Sequence, residues 1–507
     1  MVVAAQIQNW AANLSTRRQM LLAAVLGAMA ALGQAPVGLW PATVFAFAVV
    51  FGLYQQSRGW QHAAMLGWAT GTGYFMLALS WIVEPFLVDV ARHGWMAPFA
   101  LAGLSSGLAL LWGAGFALAR CAGPTAGAWI ATLTLIEAAR TYILTGFPWA
   151  QPGHALIDTP FLHWASYGGS LFLTAIVLLA ATALWQFMTD RRGHGIAGMI
   201  CVALAYVAGT ALTPVNAAAP DAPVVRLIQP NAAQHEKWNP DKVQIFFDRQ
   251  IDFTRDNGAS VQPDLVVWPE TAIPVLLNNA GPTLDAIADA AQGASVVLGA
   301  QRYEGVRFYN SMVVLDGQGE VTSVYDKYHL VPFGEYMPFG NFLSQFGISG
   351  LASREGNGYS SGSGMQVMNI DGLGKALALI CYEGVFPQDV NAAPSRPDFL
   401  LLITNDAWFG QVSGPYQHLA QARLRSAEQG LPMIRVANTG VSAMIDATGQ
   451  VTASIPLGIA GWQDAALPPP LPATLYSRTG DWPVIIGLLL FFSLSFLAEK
   501  RTGRETS

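Results

Sequence analysis

The sequence predicts a bundle of eight membrane-spanning helices with an α/β domain inserted between the seventh and eighth spans. Three observations predict it. Apolar stretches long enough to cross about 30 Å of hydrocarbon recur through residues 1–215. The composition then turns polar over residues 220–470, and a last apolar stretch, WPVIIGLLLFFSLSFLAEKR, occupies 482–501. Of the 507 residues only 11% are charged and 52% are hydrophobic, whereas soluble domains carry about 25% charge. Lipid is therefore expected to solvate much of the chain.

The first seven spans are expected near 19–35, 38–54, 62–83, 95–119, 124–143, 161–186 and 195–212, and they show no obvious midplane broken-helix pair. The eighth is placed at 480–499, with a tail at 500–507. Positive loops stay cytoplasmic. Arg17, Arg18, Arg58, Arg120, Arg191, Arg192, Lys500, Arg501 and Arg504 all fall in loops of one side, while the alternate loops hold little beyond Arg92 and Arg140. Both termini are thus expected in the cytoplasm and the inserted domain outside. A cleaved signal peptide over 1–34 is the competing reading, and it leaves the domain on the same side. The net charge of −6 supplies no basic stripe for nucleic acid.

Within 220–470, the segments 224–231, 263–270, 294–300, 310–316, 375–383 and 398–408 read as strands, with helical patterns at 240–256 and 415–430. The strands carry continuous Val, Leu and Ile runs, as in a sheet covered on both faces. An α/β layered domain follows.

Three motifs at strand ends or in loops carry the reactive groups. WPET places Glu270 after a strand, YDKYHLVPFGEYMP carries Lys327 and Glu335, and ICYEG carries Cys381, Tyr382 and Glu383. A thiol must become a thiolate to attack a carbonyl, and a nearby cation or base makes that possible. A carboxylate can take the proton while a lysine stabilises the thiolate and the developing oxyanion. The three cysteines, Cys121, Cys201 and Cys381, have no paired spacing, which suggests neither a disulfide framework nor a metal site. Cys121 and Cys201 are expected to be inert packing residues. No cofactor and no metal are expected.

The order Glu270, Lys327, Cys381 with the flanks WPE, DKYHLVPFGE and CYE resembles the carbon–nitrogen hydrolase (nitrilase) superfamily. Joined to eight spans, and with GFPW at 146–149, QPN at 229–231, TNDAWFG at 404–410 and RVANTG at 435–440, it resembles the apolipoprotein N-acyltransferase family of bacterial envelopes. The resemblance implies an αββα sandwich, with Cys381 as nucleophile, Glu270 as general base and Lys327 as stabiliser of oxyanion and thiolate. Glu335, Tyr382 and Glu383 match further required positions, and Trp238 in HEKWNP matches a tryptophan that handles substrate. It implies transfer of an acyl chain from a phospholipid to the α-amine of a diacylglyceryl-cysteine at an apolipoprotein N-terminus, in the cytoplasmic (inner) membrane with the domain in the periplasm. A monomer is expected.

Other polar and aromatic residues invite weaker readings. Phe339, Phe342 and Phe346 lie in a segment, 337–365, that ends in Gly and Ser; they are expected to dip into the membrane interface and gate lipid entry. Trp408 is a candidate for an acyl pocket. Glu137 and Arg140, at i,i+3 spacing, read as a structural pair, with phospholipid headgroup binding as the alternative. His329 and His418 read as structural. Two rival functions share these features: a membrane-anchored amidohydrolase with water as acceptor, and a transporter or receptor whose outer domain only binds.

Overall fold

The computed structural model describes residues 14–189, 191–256, 258, 262–338 and 358–505. The chain divides into two compact units, Met1–Thr213 with Thr474–Ser507, and Pro214–Ala473.

The first unit is helical: α1 (Thr16–Ala31), α2 (Trp40–Gln55), α3 (Trp60–Ala78), α4 (Ala97–Ala122), α5 (Ala126–Tyr142), α6 (Ala165–Met188) and α7 (Arg192–Leu212). By length and composition, the helical stretches Val90–Ala122, Pro160–Met188 and Arg192–Leu212 can each cross a membrane, and α3 with Ser80–Leu87 makes a fourth if the bent pair is one span. Two of the expected spans are bent near one end. The stretch near 62–83 bends by 63° after Ala78, where the chain passes through a 3₁₀ turn to Glu84–Leu87, a segment with proline near its start. That proline lacks the N–H a continuous helix needs. The stretch near 161–186 kinks at Gly168 and Gly169. Gly169 has φ +62°, and a Cβ there would lie 2.4 Å from the Tyr476 ring, so only glycine fits. Cys121 and Cys201 are exposed, which corrects their reading as packing residues. Composition could not tell the inner from the outer face of an apolar helix, because both faces are oily.

Arg140 on α5 forms an ion pair with Glu137, and both are buried. Trp112 Nε1 donates to Glu137 Oε1 at 2.7 Å and Arg140 Nη1 donates to Trp149 O at 2.7 Å. Gln151 continues the network to Thr141 at 2.9 Å. The charges are thus paired and hydrogen-bonded, as burial requires.

The second unit contains two six-stranded sheets. The strands are β1 (Val224–Gln229), β2 (Leu265–Val267), β3 (Ser295–Glu304), β4 (Arg307–Leu315), β5 (Val321–Asp326), β6 (Val367–Ile370), β7 (Gly374–Ile380), β8 (Phe399–Thr404), β9 (Met433–Ala437), β10 (Ser442–Ile445), β11 (Val451–Ile455) and β12 (Gly461–Ala466). Their orders are β12-β1-β2-β3-β4-β5 and β11-β10-β9-β8-β7-β6. The central pairs β1–β2, β2–β3, β7–β8 and β8–β9 are parallel.

Side-chain alternation explains the apolar runs. Along β8, Phe399, Leu401 and Ile403 join Val225, Leu227 and Val267 in the core between the sheets. Leu400 and Leu402 face the other way, in a cluster with Ala422 of helix α10 (Gly414–Gln429). On the far side of the first sheet, Val266 and Leu298 pack with Ile251 of α8 (Val243–Arg255) and Ile287 of α9 (Gly281–Ala291). Four layers result, α, β, β and α, as the resemblance implies. The strands expected at 263–270 and 375–383 are shorter than read, at Leu265–Val267 and Gly374–Ile380. The residues beyond them are the site.

Candidate active site

Each reactive group stands where a strand stops. After β2, Trp268 N donates to Val297 O at 2.8 Å and Gly299 N donates to Pro269 O at 3.1 Å, which ties the WPET turn to β3. A Cβ on Gly299 would lie 2.6 Å from Glu270 Cα, so glycine there lets the Glu270 turn sit on the sheet. Lys327 follows β5, and its N–H donates to Asn310 O at 2.8 Å. Cys381 follows β7 and opens the 3₁₀ turn Cys381–Val385 with φ +52°. A non-glycine residue in the left-handed region costs of order 1–3 kcal/mol. Here the strain turns the chain sharply at Cys381.

These turns bring Lys327, Glu270 and Glu335 together. Lys327 is 1% exposed; its Nζ is 2.8 Å from Glu335 Oε1 and 3.8 Å from Glu270 Oε1. Burial alone would push its ammonium down, but Glu335, Glu270 and Cys381 outweigh that and hold it above the ordinary lysine value. Glu335 Oε2 also accepts from Val331 N at 2.8 Å. Cys381 is 6% exposed. Burial first, and then the Glu270 carboxylate, push its thiol above the ordinary range, and Lys327 opposes them. A thiol so placed would have to lose its proton to attack a carbonyl, and a nearby carboxylate can accept it.

Glu383 and Tyr382 are buried beside it. Glu383 Oε1 accepts from Tyr325 Oη at 2.7 Å, Tyr328 N at 2.7 Å and His329 N at 3.1 Å, while Oε2 accepts from Ile380 N at 2.7 Å. It ties the Lys327 loop to the Cys381 turn. Burial pushes its carboxyl up to about 7, against Lys327 and these donors. The Tyr382 ring packs edge-on against Phe386 at 4.7 Å and His329 at 5.6 Å. His329 Nδ1 lies 2.7 Å from Asp389 Oδ2, which fits a structural role.

Trp238 is 44% exposed, with Lys237 Nζ 5.3 Å from its ring. Trp408 is half-buried in the turn Asp406–Phe409. Phe339, Phe342 and Phe346 lie outside the described residues.

Residues 246–470 match the carbon–nitrogen hydrolase family model, and residues 26–183 match that of the apolipoprotein N-acyltransferase N-terminal domain. The apolipoprotein N-acyltransferase of Rhodopseudomonas palustris is 35% identical over 96% of each chain, and that of Brucella suis biovar 1 is 36% identical over 94% of each. The chain belongs to the apolipoprotein N-acyltransferase family. Among solved structures, a carbon–nitrogen hydrolase superfamily protein from Xanthomonas campestris covers 52% of this chain and 97% of its own, at 20% identity and a TM-score of 0.36. An amidase from Nesterenkonia sp. covers 50% and 92%, at 20% identity and a TM-score of 0.37.

This member of the apolipoprotein N-acyltransferase family also places residues at the site that its motifs do not announce. Asn310 is 2% exposed; its Nδ2 donates to Glu270 Oε1 at 2.6 Å and lies 3.4 Å from Glu335 Oε1. The one signal in the sequence is a polar residue opening the apolar run NSMVVLD. Lys237 is also buried, and its Nζ donates to Glu270 O at 3.0 Å and to Thr271 Oγ1 at 2.7 Å. Burial pushes its ammonium down to about 8, with Glu270 opposing.

Proposed function

We infer that this chain transfers an acyl chain from a phospholipid to the α-amine of a diacylglyceryl-cysteine at an apolipoprotein N-terminus, through a thioester on Cys381. The observation that carries the reading is a buried Cys381 on which the Glu270 carboxylate and the Lys327 ammonium, 3.8 Å from each other, both act, in a chain of this family. As Cys381 sulfur bonds to the ester carbonyl, Glu270 takes the thiol proton and Lys327 faces the negative charge that develops on the carbonyl oxygen. The C–O bond to glycerol then breaks, and the proton passes from Glu270 to the departing oxygen. In the second half, the acceptor amine attacks the thioester and gives a proton to Glu270. The C–S bond breaks and the sulfur recovers that proton as the amide forms.

The finer reading follows the charge pattern: eight spans, both termini in the cytoplasm, residues 220–470 in the periplasm of the inner membrane, and a monomeric enzyme. Both substrates keep their acyl chains in the bilayer, because each buried CH₂ is worth roughly 0.8 kcal/mol. Trp238, Trp408, Phe339, Phe342 and Phe346 are the proposed contacts for those chains, with Glu335, Tyr382 and Glu383 supporting the nucleophile.

Purified protein incubated with acyl-labelled phospholipid is expected to carry the label on Cys381, and a diacylglyceryl-peptide chase is expected to receive it as an amide. Release of the label only to water would make the chain an amidohydrolase-type enzyme. No label at all would overturn the acyl-enzyme.

A further inference from the structure

The Glu270 turn has a brace that the chemistry above does not use. Thr271, next to the proposed base, stands at φ +48°. A β-branched residue in the left-handed region is an outlier, and such a conformation persists only where its surroundings impose it. The residues on either side are tied to β3: Gly299 N donates to Pro269 O at 3.1 Å, and Ala272 N donates to Gly299 O at 2.7 Å. The groups between them are met by Lys237. Its Nζ donates to Glu270 O at 3.0 Å and to Thr271 Oγ1 at 2.7 Å.

The loop that carries Lys237 is itself pinned by residues far along the chain. Asn231 N donates to Asn438 O at 3.0 Å and Ala232 N donates to Asn438 Oδ1 at 3.0 Å. Asn438 Nδ2 donates to Ala232 O and to Asn405 Oδ1, both at 2.8 Å, and Asn405 Nδ2 donates to Gln234 Oε1 at 2.7 Å. Lys237 N then donates to Ala233 O at 2.9 Å. The motifs QPN, TNDAWFG and RVANTG therefore meet in this loop. Asn405 follows β8 and Asn438 follows β9, in the same sheet as β7, which ends at Cys381; Glu270 follows β2 in the other sheet. Lys237 thus links the Glu270 turn to the sheet that carries Cys381. We propose that Lys237 is a positioning residue, whose side chain holds the Glu270–Thr271 turn in its left-handed form and so fixes the Glu270 carboxylate relative to Cys381. Only two N–H donors are needed, and a lysine side chain carries them whether charged or neutral.

The proposal rests on Glu270 as the base of the reaction inferred above, and its tests separate the two readings. Lys237→Met keeps the apolar stem and removes both donors. Thioester formation on Cys381 is expected to slow by about tenfold or more, a part of the 10²–10⁴-fold range of general-base catalysis, with the phospholipid KM unchanged. In a Thr271→Gly background the same change is expected to cost less than about threefold, because glycine adopts the left-handed region without strain. A loss confined to KM would overturn the proposal. So would a loss of threefold or more in the Thr271→Gly background, even where Lys237→Met alone does not fold. Alkylation of Cys381 by iodoacetamide at pH 8 needs no lipid. Lys237→Met is expected to speed it, as the carboxylate that pushes the thiol up loses its place, and to add little in a Glu270→Gln background. A merely loosened site would speed alkylation equally in both backgrounds, and that result would overturn the proposal. A wild-type protein that forms no thioester, with alkylation responding as expected, would sink the acyl-enzyme and leave the present inference standing.

Discussion

The Lys327 ammonium lies 2.8 Å from Glu335 and 3.8 Å from Glu270, so its closest ion-pair partner is Glu335 and Glu270 keeps the freedom to accept a proton. One carboxylate pairs with the lysine, and the other is the proposed base. The division depends on Asn310, whose amide donates to Glu270 and reaches toward Glu335.

Removing the charge of Glu335 is therefore expected to cost both activity and stability. Glu335→Gln leaves Lys327 buried with Glu270 as its nearest carboxylate, and breaking a buried pair costs about 3–5 kcal/mol. Thioester formation is expected to fall by about 10²-fold or more as Glu270 becomes the counter-ion, in line with the 10²–10⁴-fold range of general-base catalysis. Thermal melts in detergent alongside single-turnover acylation check both effects; a stable variant with wild-type turnover would contradict this division of labour.

Glu270→Gln is expected to move two measurements in opposite directions. Acylation of Cys381 is lost, because no group takes the thiol proton. Iodoacetamide alkylation of the same thiol at pH 8 becomes faster, because the carboxylate that helps push the thiol up is gone. Equal slowing of both reactions would mean that the substitution merely closed or distorted the site.

Asn310→Leu tests the bridge between the carboxylates. It keeps the volume approximately but leaves two buried carboxylates without their shared donor, at about 1–3 kcal/mol for an unmet buried group. A drop in kcat of about tenfold or more with an unchanged phospholipid KM is expected, since the residue orients the base and does not hold lipid. A change confined to KM would argue instead for substrate contact.

Lys237 carries a pH signature. Its folded-state value is pushed down to about 8, below the lysine reference of 10.5, so between those values the unfolded chain binds more protons than the folded one. Stability from this group rises as pH increases from about 8 to 10.5. Relative to Lys237→Met, wild-type protein is expected to gain of order 1–3 kcal/mol across that window, read as a difference in melting temperature between the two proteins at each pH. Parallel curves for the two proteins would remove the assignment.

In the helical unit, the Glu137–Arg140 pair is part of a closed network with Trp112 and the Trp149 carbonyl. Arg140→Met is expected to destabilise by about 3–5 kcal/mol by stranding Glu137, with an unchanged phospholipid KM in the protein that remains folded. A raised KM at normal stability would favour the headgroup-binding alternative.

The sequence by itself determined the kind of chain this is. Alternation of apolar stretches with a polar domain is visible because membrane crossing and sheet burial both require runs of one residue type. The reactive residues Glu270, Lys327 and Cys381 are visible because polar groups at the ends of such runs stand out. Asn310 and Lys237 were not legible, because a buried polar residue is recognised by its partners, and these are distant in the chain: 40 residues separate Asn310 from Glu270 and 33 separate Lys237 from it. Only the tertiary structure brought those residues together. It also decided the left-handed turn at Cys381 and the exposure of Cys121 and Cys201. Hydrogen bonds and charge pairs act over a few ångströms in space, and the order of residues along a chain records only part of who will meet.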